Sequence, residues 1–281
     1  MISGAAKLAG VMGWPISHSK SPVLHGYWLD HYKVDGAYIP MAVAPDHLAR
    51  AVAGLRAMGF KGSNVTVPHK QAVMALCDTV AEDARKIGAV NTLVIDDDGH
   101  VTGSNTDHAG FIGNLHLSDP SWNPAAGPAM VLGAGGAARA VLYGLIRAGA
   151  PKIRLANRTM ERAEALAADF APHVEVVPFA EAGDALEGCV LLANTTSLGM
   201  QGQPPLDLRL DALPKSALVT DIVYAPLVTP LLDQAMRRGN RTVDGLGMLL
   251  HQAVPGFEAW FGIRPAVTQA LREIVLGMKQ T

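Results

Sequence analysis

The chain has 281 residues, of which 49% are hydrophobic and 17% charged, with a formal net charge of −2. A charged share below the usual ~25%, combined with that apolar content, excludes a disordered chain and implies a large core in one large or two medium domains. The near-neutral balance and the lack of a long basic run argue against a nucleic-acid partner.

Cys77 and Cys189 stand far apart without metal-ligand spacing and read as reduced thiols of a cytoplasmic protein. The opening MISGAAKLAGVMGWP lacks a basic region and an unbroken apolar run, so no signal peptide is expected. No stretch reaches the roughly 18 apolar residues of a spanning helix, so no membrane partner is expected either.

In chain order, LAGVMG (8–13) reads as a strand and SPVLHGYWLDHY (21–32) as a helix with Pro22 at its first position. AYIPMAV (37–43) reads as a strand, and PDHLARAVAGLRAMG (45–59) as a helix closed by Gly59. NVTV (64–67) alternates polar and β-branched apolar residues, which predicts a strand with Asn64 and Thr66 on one face and Val65 and Val67 on the other. A short helix is expected around 69–76. Then come a strand AVNTLVI (89–95), a DDDG turn and a return strand HVTGS. The alternation of strands and helices predicts an α/β fold with a mostly parallel sheet.

A second organisation follows the turn-rich loop SDPSWNPAAGP (118–128). AMVLGAGGAARAVLYGLIRAG (129–149) reads as strand, glycine turn and helix. Further strands are expected at IRLANRT (153–159), VEVVPF (174–179), CVLLANTTS (189–197) and ALVTDIVYAP (217–226). TPLLDQAMRRG (229–239) has Thr229 as N-cap, Pro230 at the first position and Gly239 beyond the end. A strand RTVDG and two helices, about 246–260 and 265–279, complete the chain. The domain boundaries expected are 1–106, onto which the helices of 245–281 are expected to fold back although periodicity alone does not place them, and 107–244, which opens with the strand, glycine turn and helix of a Rossmann-type domain.

Gly133, Gly135 and Ala138 form G-x-G-x-x-A between a strand and a helix. The first glycine permits the tight turn, the second admits a pyrophosphate to the backbone amides, and the small third residue lets helix and strand pack. The helix N-terminus then faces the anion. An NAD site wants an acidic residue at the end of the next strand; this chain has Asn157, Arg158 and Thr159, then Arg162. Two guanidiniums and a hydroxyl suit a 2′-phosphate dianion, so NADP is the expected cofactor. On its own the arginine pair also reads as a surface pair beside a helix cap, with Glu161 as neighbour.

Polar clusters in the first half sit at the ends of strands or in loops: HSKSP with Ser19 and Ser21, then Thr66 and Lys70, Asn91, and NTD (105–107). Ligands of open α/β sheets bind at the carboxyl ends of parallel strands. Hydroxyls, an amide, an ammonium and a carboxylate gathered there suit a small polyhydroxylated anion. Taken singly, each also has an ordinary reading: helix caps for Ser19, Ser21 and Asp107, an exposed strand face for Asn64 and Thr66, and a solvated lysine at Lys70.

With these motifs in order, the chain resembles the shikimate dehydrogenase family over essentially its whole length. The resemblance rests on GWPISHSKSPVLH (13–25), NVTVPHK (64–70), GAVNT (88–92), NTD (105–107), GAGGAAR (133–139), NRT (157–159) with Arg162, NTTSLGM (194–200), DIVYAPLVTPLL (221–232) and GLGMLLHQA (245–253). It implies NADPH-dependent reduction of 3-dehydroshikimate to shikimate in aromatic amino acid biosynthesis. By the same resemblance Lys70 and Asp107 are the catalytic pair, with the lysine as acid in reduction and base in oxidation. Ser19, Ser21, Thr66, Asn91, Tyr224 and Gln252 contact substrate. Gly133, Gly135, Gly136, Ala137, Asn157, Arg158, Thr159, Arg162, Gly245 and Met248 hold NADP. No metal is implied, and the expected assembly is a monomer or homodimer. His69 and His108 stand where the family more often has a phenylalanine and a small residue. The alternatives are a quinate/shikimate dehydrogenase of broader specificity, a non-catalytic NADP- or metabolite-sensing homologue, and a reductase of the glutamyl-tRNA type sharing only the dinucleotide half.

Overall fold

The structure, a computed structural model, describes residues 2–277. They divide into two units, one running up to Thr106 and resuming at Leu250, the other Asp107–Leu249.

In chain order the first unit begins with β1 (Lys7–Gly13), α1 (Ser21–His31), β2 (Gly36–Ala42), α2 (Leu48–Ala57), β3 (Gly62–Val65), β4 (Thr79–Val80), α3 (Glu82–Ile87), β5 (Thr92–Ile95) and β6 (Val101–Ser104). The sheet order is β2, β1, β3, β5, β6, β4. β1 pairs in parallel with β2 and β3, and β4 with β6, while β5 runs antiparallel to both its neighbours. The DDDG turn, with Gly99 at φ +80°, joins β5 and β6 as a hairpin and accounts for their antiparallel pairing. Met12, Val52, Leu55, Val65, Val90, Leu93 and Val101 are buried together beneath this sheet. Each such side chain contributes about 1.5–3 kcal/mol by leaving water.

The second unit carries α4 (Asp107–Ser118), β7 (Ala129–Leu132), α5 (Gly136–Arg147), β8 (Ile153–Asn157), α6 (Met160–Asp169), β9 (Val174–Pro178), β10 (Leu191–Asn194), β11 (Leu218–Asp221), α7 (Pro230–Arg238) and β12 (Arg241–Val243). Its sheet is parallel at every pairing, in the order β9, β8, β7, β10, β11, β12. β7, β10 and β11 are buried along their whole length, as a sheet covered on both faces demands. The order is that of a Rossmann fold, and it reverses between β7 and β10. α8 (Leu246–Phe261) and α9 (Gln269–Leu276) end the described chain. The division between units falls inside α8, after Leu249, five residues beyond the boundary expected from sequence. The segment from Leu250 on is tied into the first unit. Trp260 Nε1 donates to Leu93 O at 2.9 Å, and Trp28 Nε1 donates to Ala266 O at 3.0 Å.

Several elements differ from expectation. β3 ends at Val65, not Val67: Pro68 has no N–H to offer a ladder, and the chain leaves the sheet before it. Val65 is 2% exposed and Val67 68%, so the two valines do not share a buried face. The helix expected around 69–76 is a 3-10 turn at Ala72–Leu76, and the one at 45–59 is a 3-10 turn at Pro45–His47 followed by α2. The strand expected from 89 starts only at Thr92, and α3 and β4 had no sequence signal of their own. Of the helix expected over 265–279, positions 269–276 are helical, and the last two positions lie outside the described residues. Among the described residues no helix is long and apolar enough to cross a membrane.

Candidate active site

At the carboxyl edge of the first sheet, β1 and β3 run side by side and release two loops. Thr66 N–H donates to Met12 O at 2.9 Å and Trp14 N–H to Val67 O at 3.1 Å, so the loops leave as a pair. One carries Ser19 and Ser21, the other Thr66 and Lys70. Gly13 is required between them, because a Cβ there would lie 2.5 Å from Thr66 Cγ2. Ser21 is buried and Ser19 half-buried. Neither hydroxyl caps α1, whose N-cap is Lys20, and Ser21 N–H donates to Ser19 Oγ at 3.3 Å.

The reversal of β5 brings Asn91 to this same edge. Asn91 immediately precedes β5, whose Thr92 pairs with Asn64 of β3 and with Ser104 of β6. A parallel β5 would have put its start at the opposite edge. Asn91 is 2% exposed, and its side-chain oxygen accepts from Thr106 N–H at 2.9 Å, Thr106 Oγ1 at 3.2 Å and Thr92 Oγ1 at 2.9 Å. Its amide nitrogen donates to Gln252 Oε1 at 3.4 Å. Asn64 is also buried: it accepts from Tyr38 Oη at 2.6 Å and donates to Asn91 O and Thr92 Oγ1, both at 3.2 Å. Burial pushes the Tyr38 phenol well above its ordinary range, so it remains a donor. The loop bearing Lys70 is fastened to the same corner, with Val90 N–H donating to Lys70 O at 2.8 Å. Lys70 is itself half-buried. The structure therefore brings Asn91 and Gln252 together and adds Tyr38, Thr92 and Thr106, which sequence reasoning left without a role. His69 is 1% exposed and bonds Val43 O at 2.7 Å through Nε2, which makes it a packing residue.

In the second unit the turn after β7 and the N-terminus of α5 form one wall of a cavity of about 290 Å³. Its lining includes Gly133, Gly135, Asn157, Arg158, Arg162 and Thr195–Leu198, and no carboxylate. Gly133 has φ +105°, and a Cβ there would lie 2.9 Å from Thr195 Oγ1. A Cβ on Gly135 or Gly136 would meet nothing within 4 Å, so this stretch of backbone is open to a ligand. α5 has no side-chain cap at Gly135, which leaves its first N–H groups for an anion. Arg158 and Arg162 are exposed, and neither has a hydrogen bond or ion pair among the described residues. Asn157 turns its amide to Thr159 O at 2.8 Å. These features fit a dinucleotide bearing a 2′-phosphate. Gly136, Ala137 and Thr159 are not part of the cavity lining.

Asp107 opens α4 and is buried. His108 beside it packs edge-on against Tyr143 at 5.1 Å, with Nδ1 buried and unbonded. Two turns along α4, Asn114 donates to Asp244 O at 2.8 Å and fixes the segment that carries Gly245 and Met248. Gly245 can be nothing larger, since a Cβ would lie 2.3 Å from Ile222 O. Met248 packs on the unit's core. Tyr224, after β11, is half-buried, and burial raises its phenol. Burial likewise pushes the thiols of Cys77 and Cys189 upward, and both cysteines are free. Among the described residues no cluster of His, Cys, Asp or Glu could hold a metal.

A Rossmann-type unit with a glycine-turn cavity, joined to an α/β unit with a polar carboxyl edge, defines the class of two-unit α/β dehydrogenases. Three family profiles match the chain: "Shikimate dehydrogenase substrate binding domain" over residues 11–93, "Shikimate / quinate 5-dehydrogenase" over 123–198, and "Shikimate 5'-dehydrogenase C-terminal domain" over 245–276. The shikimate dehydrogenase (NADP(+)) of Paramagnetospirillum magneticum is 62% identical over 275 residues, covering 98% of this chain and 100% of that one. The chain belongs to the shikimate dehydrogenase family. Among solved structures, the Thermus thermophilus shikimate 5-dehydrogenase in complex with NADP(H) and shikimate is 34% identical with a TM-score of 0.86, covering 97% of this chain and 100% of that one. The quinate dehydrogenase of Corynebacterium glutamicum in complex with NAD is 33% identical with a TM-score of 0.90, covering 97% and 99%.

Proposed function

We propose that this protein catalyses the reversible NADPH-dependent reduction of 3-dehydroshikimate to shikimate in the cytoplasm, as a step of aromatic amino acid biosynthesis. The observation that carries this reading is the carboxyl edge of the first unit, where buried amides and hydroxyls centred on Asn91 adjoin the loop of Lys70. A ring bearing several hydroxyls and a carboxylate needs such a set of fixed polar groups. Ser19 and Ser21 take the carboxylate, while Thr66, Asn91, Gln252 and Tyr224 take hydroxyls.

Gly133, Gly135, Gly136 and Ala137 receive the pyrophosphate. Asn157, Arg158, Thr159 and Arg162 receive the 2′-phosphate, and Gly245 and Met248 border the nicotinamide. NADPH, when bound, supplies a hydride to the ketone carbon. The carbonyl oxygen then carries negative charge, which the Lys70 ammonium stabilises and neutralises by giving up a proton. In the reverse direction the lysine takes the proton from the hydroxyl, and Asp107 completes the catalytic pair. The substrate is a small molecule; no nucleic-acid or membrane partner is invoked, and the protein works as a monomer or homodimer.

The test is turnover of the purified protein with shikimate and with quinate, each against NADP and NAD. Shikimate with NADP gives the highest kcat/KM if this reading is right. A preference for quinate with NAD, or no turnover in any of the four arms, overturns it.

A further inference from the structure

Asp221 ends β11 and is fully buried, although among the described residues no arginine, lysine or histidine bonds to it. Burial raises its carboxyl above the ordinary range. Replacing buried charge by apolar side chains is often neutral or stabilising, so an acid held here without a cation calls for a role. Both of its oxygens accept hydrogen bonds. Oδ1 accepts from Asn194 Nδ2 at 3.1 Å and from Val223 N–H at 3.0 Å, and Oδ2 accepts from Thr229 Oγ1 at 2.7 Å.

Those three partners lie on three separate segments. Asn194 ends β10 and organises the loop beyond it. Its oxygen accepts from Thr196 N–H at 3.0 Å and Thr196 Oγ1 at 2.8 Å, and its nitrogen also donates to Leu198 O at 3.2 Å. Thr195–Leu198 are a wall of the dinucleotide cavity. Val223 is the residue before Tyr224, and the carbonyl of its neighbour Ile222 is the group that admits only glycine at 245. Thr229 caps α7 and so anchors the far end of the Tyr224 loop.

We infer that Asp221 is a positioning residue that ties the dinucleotide-cavity wall at Thr195–Leu198 to the segment bearing Tyr224. Cofactor affinity and substrate affinity then move together when it is changed. This rests on the proposed function, because it takes Tyr224 as a substrate contact and the cavity as the NADP site.

The experiment uses the full chain with Asp221→Ala and Asp221→Asn. It measures NADPH affinity by fluorescence titration, KM for shikimate, kcat and Tm. Asp221→Ala removes both acceptor oxygens and all three bonds, and raises both the NADPH Kd and the shikimate KM by about tenfold or more. Asp221→Asn keeps the two bonds at Oδ1 but turns the Thr229 bond around, and raises both by about threefold. If the alanine variant does not fold, the asparagine variant alone decides. A folded variant whose two constants stay within about twofold of wild type, or in which only one moves, overturns the inference, even if Tm and kcat fall. Tyr224→Phe and Arg158→Ala are run alongside. The first is expected to move only the shikimate constant and the second only the NADPH constant; if neither moves anything, it is the proposed function that fails and not the coupling.

Discussion

Asn91 in the first unit is 2% exposed and its side-chain oxygen accepts three hydrogen bonds, whereas Arg158 in the second is exposed and has no bonded partner among the described residues. The two regions recognise ligands by opposite means. Around Asn91 the orientation of each amide is fixed by its neighbours before any ligand arrives, so its cost in ordering is met during folding. Around the glycine turn the fixed part is bare backbone, and the charged part is two side chains free to order on an anion. Damage to the first region should therefore reach stability as well as binding, and damage to the second should reach affinity alone.

The largest effect tests the chemistry that the first region serves. Lys70→Ala should lower kcat by about a thousandfold, with KM for shikimate and the NADPH Kd changed by less than about threefold. Near-normal turnover would remove Lys70 from the mechanism. Next comes Asn91→Ala, which strips acceptors from Thr106 N–H and the Thr92 hydroxyl inside a buried corner. It should destabilise the first unit by about 3 kcal/mol in urea unfolding and raise KM for shikimate about tenfold, with the NADPH Kd unchanged. An Asn91→Ala protein as stable as wild type would mean that the corner is not preorganised in the sense drawn above.

The same contrast governs what the sequence disclosed. The cofactor turn was legible because its signals are local: glycines between a strand and a helix, and arginines in place of an acid at the end of the next strand. The α7 helix was legible for the same reason, with Thr229 accepting from Leu232 N–H, Pro230 following and Gly239 at φ +87°. The Asn91 corner was legible only as scattered polar residues. Its assembly depends on β5 running against β3, and that pairing joins residues 28 to 32 apart. Tyr38 and Thr92 carried no signal, because what they do is set by partners far along the chain. Alternation in NVTV was overrun by Pro68, and Val67 ended exposed where the pattern had put it beside Val65.

Acid separates the two units more gently. His25 is fully buried in the first unit, stacked on Tyr38 at 3.9 Å, and neither ring nitrogen has a hydrogen-bond partner among the described residues. Burial lowers its pKa from 6.5 to about 3. Above pH 6.5 the imidazole is neutral whether the chain is folded or not. Between pH 6.5 and 3 the unfolded chain takes up a proton that the folded one refuses, so stability falls as pH falls. The loss from this group is about 2 kcal/mol at pH 5 relative to pH 7. Asp221 in the second unit has the opposite sign. Its raised carboxyl contributes stability that is present below its ordinary value of 3.8 and is lost as pH rises through the folded one. His25→Phe should keep the ring stack and flatten the fall in Tm between pH 7 and 5 by about 5 °C. A variant with the wild-type slope would show that acid sensitivity lies elsewhere.

The smallest expected effect addresses the second region directly. Arg158 is exposed, so its attraction for a 2′-phosphate is screened by solvent and salt, and its loss should be worth about tenfold in affinity. Arg158→Ala should raise KM for NADPH by that factor and leave KM for NADH where it was, since NADH presents hydroxyl and not phosphate at that position. Arg158→Lys keeps the charge but not the two-pronged donor set, and should fall between alanine and wild type. Tm should be the same in all three, because no described group bonds to this side chain in the folded protein. An unchanged ratio of NADPH to NADH preference would remove the arginine from cofactor choice. A fall in Tm would instead show that the Arg158 side chain is held by the folded protein, as the Asn91 amide is, and the contrast between the two regions would collapse to one of degree.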